Sequence, residues 1–136
     1  MAALTKGRNT LERSGNISEP PVKGATKIYA GGLTAIDGSG RAVPMTTAVG
    51  LVGLGRAEQS VDNSAGADGD KNVRVGRGIY QFANSSAGDL ITRNDIGATC
   101  HGIDDQTVAK TNGTNTRSPA GKIHDVDANG VWVKFN

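Results

Sequence analysis

The 136-residue sequence is poor in the residues that build large cores and reactive sites. It has one cysteine, two histidines, two methionines and five aromatics, the last only 4% of the chain. A single thiol, Cys100, excludes an internal disulfide framework and fits a reducing compartment. One cysteine with His101 and His124 gives no structural zinc set. No stretch approaches a membrane span, and Met1-Ala-Ala-Leu-Thr-Lys-Gly-Arg has no apolar run of signal-peptide length, so the expectation is a soluble protein made in a cytoplasm. No segment holds a 3.6-residue apolar period over three turns, which leaves no substantial helix. A dense basic stripe interleaved with stacking aromatics is also missing, so direct nucleic-acid binding is not expected.

Glycine is abundant, at 20 residues, and many of the hydrophobic residues are alanines. The predicted core is thin for the length, and assembly with other chains would supply stability. Charge is uneven. Residues 1–27 carry five basic side chains against Glu12 and Glu19, a net +3, while the other 109 residues carry ten basic and eleven acidic, a net −1.

Residues 1–24 lack periodicity and end in Glu19-Pro20-Pro21, where the prolines force an extended path. They read as a mildly basic arm that orders on a partner, ahead of a β-rich domain over 25–136. Beyond it, Lys27–Ala30, Gly31-Gly32 and Leu33–Ile36 predict a hairpin, and Asp37–Gly40 a turn. The glycine-interrupted run 48–57 predicts a bent or bulged strand, and 60–70 a polar loop. In 72–82 the apolar parity changes across Gly76 and Gly78, as a bulge in one long strand would produce. A short helical turn within 89–97, strands near 98–101 and 107–111, a turn at 112–115 and a closing hairpin follow. The fold class is all-β with minor helical turns: a small β-barrel or β-sandwich body with an extended N-terminal arm.

Asp125, Asp127, Asn129 and Gly130 reproduce the opening of a calcium loop, D-x-[DN]-x-[DN]-G. The twelfth position, where that loop needs a bidentate glutamate, is Asn136, and no helices flank the segment. The same residues suit a hairpin whose Asn129-Gly130 turn takes the positive φ angles of type I′. The following strand then places Val131, Val133 and Phe135 on one face and Trp132 and Lys134 on the other. Trp132 reads either as a second mini-core or as an interface anchor. Cys100-His101 with Asp104-Asp105 resembles a nucleophile–base–acid set only in composition, because strand neighbours face opposite ways; a half-buried thiol beside a surface histidine is expected. Gly50-x-x-Gly53-x-Gly55 reverses the order of the dinucleotide fingerprint, and it reads as strand bending or close packing.

The phrases Asn84-Ser-Ser-Ala-Gly-Asp-Leu-Ile-Thr, Asp95-Ile-Gly-Ala-Thr-Cys-His, Asp104-Asp-Gln-Thr-Val-Ala, Ser118-Pro-Ala-Gly-Lys-Ile and Gly130-Val-Trp-Val resemble the head-decoration, or capsid cement, proteins of tailed bacteriophages. The resemblance covers residues 72–136 best. It implies a compact, often trimeric β-rich body on the capsid exterior at local three-fold positions, bridging major capsid protein subunits against internal DNA pressure. The partners implied are the major capsid protein and two further copies of the chain, with no cofactor, no catalysis and no membrane. Synthesis would be in the host bacterial cytoplasm. The interface candidates are Leu4, Arg8, Leu11, Arg13, Ile17, Pro20 and Pro21 on the arm, where an added strand would bond to a sheet edge, and Trp132 on the body. The alternatives are a tail or head–tail connector component, or a β-rich module binding a surface glycan.

Overall fold

The structure is a computed structural model and describes residues 2–135. The final position of the calcium-loop pattern, Asn136, lies outside the described residues. Twelve strands are present among them: β1 (Ile17–Ser18), β2 (Thr26–Ile28), β3 (Leu33–Ile36), β4 (Ala42–Pro44), β5 (Val52–Ala57), β6 (Val61–Asn63), β7 (Val75–Gly76), β8 (Ile79–Asn84), β9 (Thr99–Gly102), β10 (Thr107–Ala109), β11 (Pro119–Asp127) and β12 (Gly130–Lys134). Helix is limited to two 3-10 turns, Ala87–Asp89 and Arg93–Asp95. The all-β expectation is met, and the body contains a barrel.

The barrel closes in the order β10-β8-β12-β11-β9, with β9 returning to β10. Every pairing is antiparallel except β8 with β10. Alternation fills its interior: Val131, Val133 and Phe135 are buried along the last strand while Lys134 is exposed. Phe82 from β8 meets Phe135 edge-on at 6.1 Å, and Cys100, Val108 and Ile123 complete the lining. Closure leaves the barrel no free strand edge. The second sheet runs β1-β7-β5-β3-β4, and Leu33, Ala35 and Met45 from its β3–β4 region join the barrel's core. A separate, smaller core of Val22, Ile28, Ala42, Ala57, Val61, Val73 and Val75 lies beneath the two-stranded β2-β6 ribbon. Valine and alanine dominate it, which is the thinness the composition implied.

Where β5 crosses β11, the contact between sheet and barrel is made by backbone. Gly53 of β5 lies so close to Ala120 of β11 that a Cβ on it would fall inside the envelope of the Ala120 carbonyl. Gly55 meets Gly76 in the same way and has φ +153°. The register of β5 against β3 shifts between Thr34 and Ala35, so a bulged, close-packed strand is present over Val52–Ala57, the second part of the run 48–57, while residues 48–51 form no strand. The Asp37–Gly40 turn also forms: Asp37 Oδ1 accepts the Ser39 and Arg41 amides at 2.8 and 3.0 Å.

Several expectations are corrected. Lys27–Ile36 is not a hairpin, because β2 pairs with β6 and β3 with β4 and β5. A turn does form, with Gly32 N–H bonded to Tyr29 O at 3.0 Å, but Gly31 donates to Ala57 and Leu33 to Asp105, which sends the flanking segments to different sheets. Residues 72–82 are not one bulged strand. The parity change at Gly76–Gly78 marks a passage between sheets, since β7 pairs with β1 and β5 whereas β8 belongs to the barrel. In the closing hairpin Asp127 pairs with Gly130, and the turn residues Ala128 and Asn129 are not at positive φ. The turn is therefore not type I′, and the positive φ, +150°, falls at Gly130 itself.

Gly53→Ala should cost about 3 kcal/mol, the upper part of the overpacking range, since backbone rather than a flexible side chain must move. Gly38→Ala, where nothing lies within 4 Å, should stay within about 0.5 kcal/mol of the parent. Urea unfolding of both variants measures the difference, and equal midpoints would refute the close-approach account.

Candidate functional site

Residues 2–15 form no strand, and every one of them is exposed. Leu4 is 69% and Leu11 88% accessible, so two large apolar side chains stand in water on a segment that also carries Lys6, Arg8 and Arg13. The arm enters the body at β1, an edge strand of two residues whose Ile17 and Ser18 pair with Gly76 and Val75. The extended segment that follows is already part of the fold. Pro20 O accepts the Val73 amide at 3.1 Å, Pro21 O accepts that of Ala42 at 2.7 Å, and Val22 is wholly buried. The prolines lack donors but supply carbonyls, which suits a chain running between two neighbours. The structure thus ends the free arm near residue 15 rather than 24. Leu4, Arg8, Leu11 and Arg13 lie on it; Ile17 and Pro20 are half-buried in the body, and Pro21 is exposed but bridged to Asn72.

Trp132 belongs to the barrel, not to the arm's sheet. It is half-buried on the outer face, opposite Val131 and Val133, and its Nε1–H donates to Asp127 Oδ2 at 3.0 Å. Asp127 Oδ1 accepts from the Asn129 amide at 2.8 Å and from Gln81 Nε2 at 3.1 Å. These donors, the Trp132 indole first, hold the Asp127 carboxyl below the usual carboxylate value of 3.8. Asp125 Oδ1 accepts from Arg93 Nη1 at 2.7 Å and from the Val126 amide at 2.8 Å. The carboxylates of the calcium pattern are thus engaged by protein donors that fix the hairpin. Among the described residues no group of three or more His, Cys, Asp or Glu side chains is placed to share a metal ion.

Cys100 points into the barrel with no exposure, a deeper position than the half-buried thiol expected, and burial pushes its pKa up to about 11. His101 follows on the other face, half-buried, with Nδ1 lacking a hydrogen-bond partner. Asp104 caps the Gln106 amide at 2.9 Å. The four residues do not form a relay. What the sequence reading missed is exposed apolar surface outside the arm, notably Tyr29, Val49 and Val52 at 58%, 65% and 54%. The run 48–57 looks buried from its composition, and only pairing shows which ends of it face water.

No family model matches this sequence, and no curated protein or solved structure is significantly similar to it. No helix among the described residues is long and apolar enough to cross a membrane.

Two outcomes follow from the barrel chemistry. The Asp127 carboxyl titrates lower folded than unfolded, so its contribution is fully present above about pH 3.8 and is lost as pH falls through the depressed folded value. An acid titration of Trp132 fluorescence should show this step, and Asp127→Asn should abolish it. Cys100 should resist a thiol reagent at pH 8 in the native protein and react at once in urea. Rapid native labelling would refute its placement inside the barrel.

Proposed function

We propose that this protein is a structural virion component that binds the outer surface of a phage capsid and stabilises it by bridging major capsid protein subunits, as a trimer with its N-terminal arm on the capsid. The observation that carries the reading is the arm: residues 2–15 are exposed throughout and form no strand, and Leu4 and Leu11 are the two most exposed large apolar side chains among the described residues. A segment of this kind fits addition of a strand to a neighbour's sheet edge, where backbone hydrogen bonds give affinity and two apolar anchors give register. The resemblance of residues 72–136 to capsid cement proteins supplies the kind of partner.

Magnitudes favour multivalent attachment. Ordering fourteen residues costs about 1 kcal/mol each in backbone entropy, while burying two leucines returns roughly 2 kcal/mol apiece. Backbone bonds at about 1 kcal/mol net each close only part of the gap. One arm alone is therefore a weak ligand. Three arms on one trimer engage at a millimolar effective concentration once the first has bound, which converts weak contacts into stable occupancy.

Deleting residues 2–15 should leave the body folded, because the backbone hydrogen bonds to it begin at Asn16, whose carbonyl accepts the Arg77 amide at 2.8 Å. Occupancy on purified particles, measured by co-sedimentation, should fall at least tenfold. The double variant Leu4→Ser/Leu11→Ser should reproduce most of that loss. Unchanged occupancy in the deletion would sink the arm mechanism.

A further inference from the structure

Where the arm meets the body, a cleft of about 310 Å³ is lined by Arg13, Ser14, Gly15, Ile17, Ser18 and Arg77. It brings together a side chain from the free arm and one from the β7–β8 crossover, 64 positions apart in sequence, and neither arginine joins an ion pair among the described residues. Arg77 Nη2 donates to Phe135 O at 3.1 Å, which fixes the guanidinium and leaves further N–H donors free. Ser18 Oγ is buried without a hydrogen-bond partner. Glu58, which sits against Gly76 of the neighbouring strand, is already held by Arg56 at 3.0 Å. Two guanidinium groups and an unsatisfied hydroxyl around a small concavity make a site short of negative charge.

We propose that this cleft is an oxyanion site that takes the carboxylate of an acidic side chain on a partner protein, resting on the capsid-binding reading for which protein presents it. A carboxylate matches the planar fork of a guanidinium, and the Ile17 side of the cleft suits the methylenes of Asp or Glu. A nucleic-acid backbone fits less well. It would need a continuous basic track, and residues 28–136 carry a net charge of −1. Because Arg13 lies on the arm and Arg77 on the body, a carboxylate held by both would fix the arm's exit direction from β1. Arg13 and Arg77 are thus specificity residues for the docked arm, distinct from the apolar anchors Leu4 and Leu11.

The test is a titration of the full chain with glutarate, and separately with inorganic phosphate, followed by backbone amide NMR. Glutarate should give saturable shifts confined to residues 13–18 and 77, and binding should be about tenfold weaker in Arg13→Ala, the loss of one charge-assisted hydrogen-bonded partner. Arg13→Lys should restore only part of it, since the fork is lost while the charge remains. Arg13 makes no contact that folding requires, so the variant is informative whether or not Arg77 variants fold. Shifts that are absent, dispersed over the surface or unchanged in Arg13→Ala overturn the proposal, and phosphate binding without glutarate binding overturns the carboxylate assignment. The capsid reading fails separately: full-length protein that does not co-sediment with particles refutes it whatever the titration shows.

Discussion

Everything in this body depends on two backbones meeting with no side chain between them. At Gly53 and Ala120 the central strand of one sheet is laid directly on a barrel strand. Ser118, two residues earlier and almost fully buried, ties the same seam: its Oγ donates to Ala48 O at 2.6 Å and accepts the Leu51 amide at 3.0 Å. Its carbonyl accepts the Gly102 amide from β9. One residue thus joins the approach to β5, the start of β11 and the end of β9. In a chain with five aromatics there is little bulk to fill a gap between layers. Close approach replaces bulk, because contacts forfeited across even a small void are not recovered elsewhere. The abundance of glycine and the shortage of large apolar residues are therefore two sides of one solution.

The same seam explains why the core is split. Leu33, Ala35 and Met45 reach across it into the barrel, while Val22, Ala42, Ala57 and Val75 pack on the other side of the sheet. The smaller cluster is closed by residues 20–22, which run between β4 and the Lys71–Val73 segment. Pro20-Pro21 is thus a structural element of the body as well as the foot of the arm. This is why the composition shift near residue 24 misplaces the boundary: proline marks an extended path, and extended paths serve arms and sheets equally well.

What was legible in the sequence was governed by local rules. Alternation in Val131, Trp132, Val133 and Lys134 gave the faces of β12 correctly, since period 2 is intrinsic to a strand. Asp37–Gly40 and the glycine-broken run 48–57 were likewise readable, the first from side-chain capping and the second from the need for backbone proximity. Pairing was not legible. Gly31-Gly32 specified a bend, but which strands then met was decided by distant donors and acceptors at Ala57 and Asp105. Gly76 to Gly78 signalled an interruption, and only the closed barrel shows that it separates two sheets. At the candidate site, the exposure of the arm was readable from its lack of periodicity, whereas the approach of Arg77 to Arg13 depends on long-range topology that no local pattern carries.

A short arm on a rigid body solves a particular thermodynamic problem. The body closes its barrel edges, buries its thiol and engages the hairpin carboxylates internally. The arm carries the chain's two most exposed leucines and three basic side chains on a segment that pays no folding penalty while free. Its tether length sets how much is lost on docking. A clasp at Arg13 lies two residues from the arm's root, so once it is occupied the remaining search is made by residues 2–12 from a fixed exit direction. Pre-ordering of the root lowers the cost of seating Leu11 more than that of Leu4, because the constraint decays along a flexible chain. Charge then acts on direction and apolar burial on residence, an arrangement in which neither alone needs to be strong.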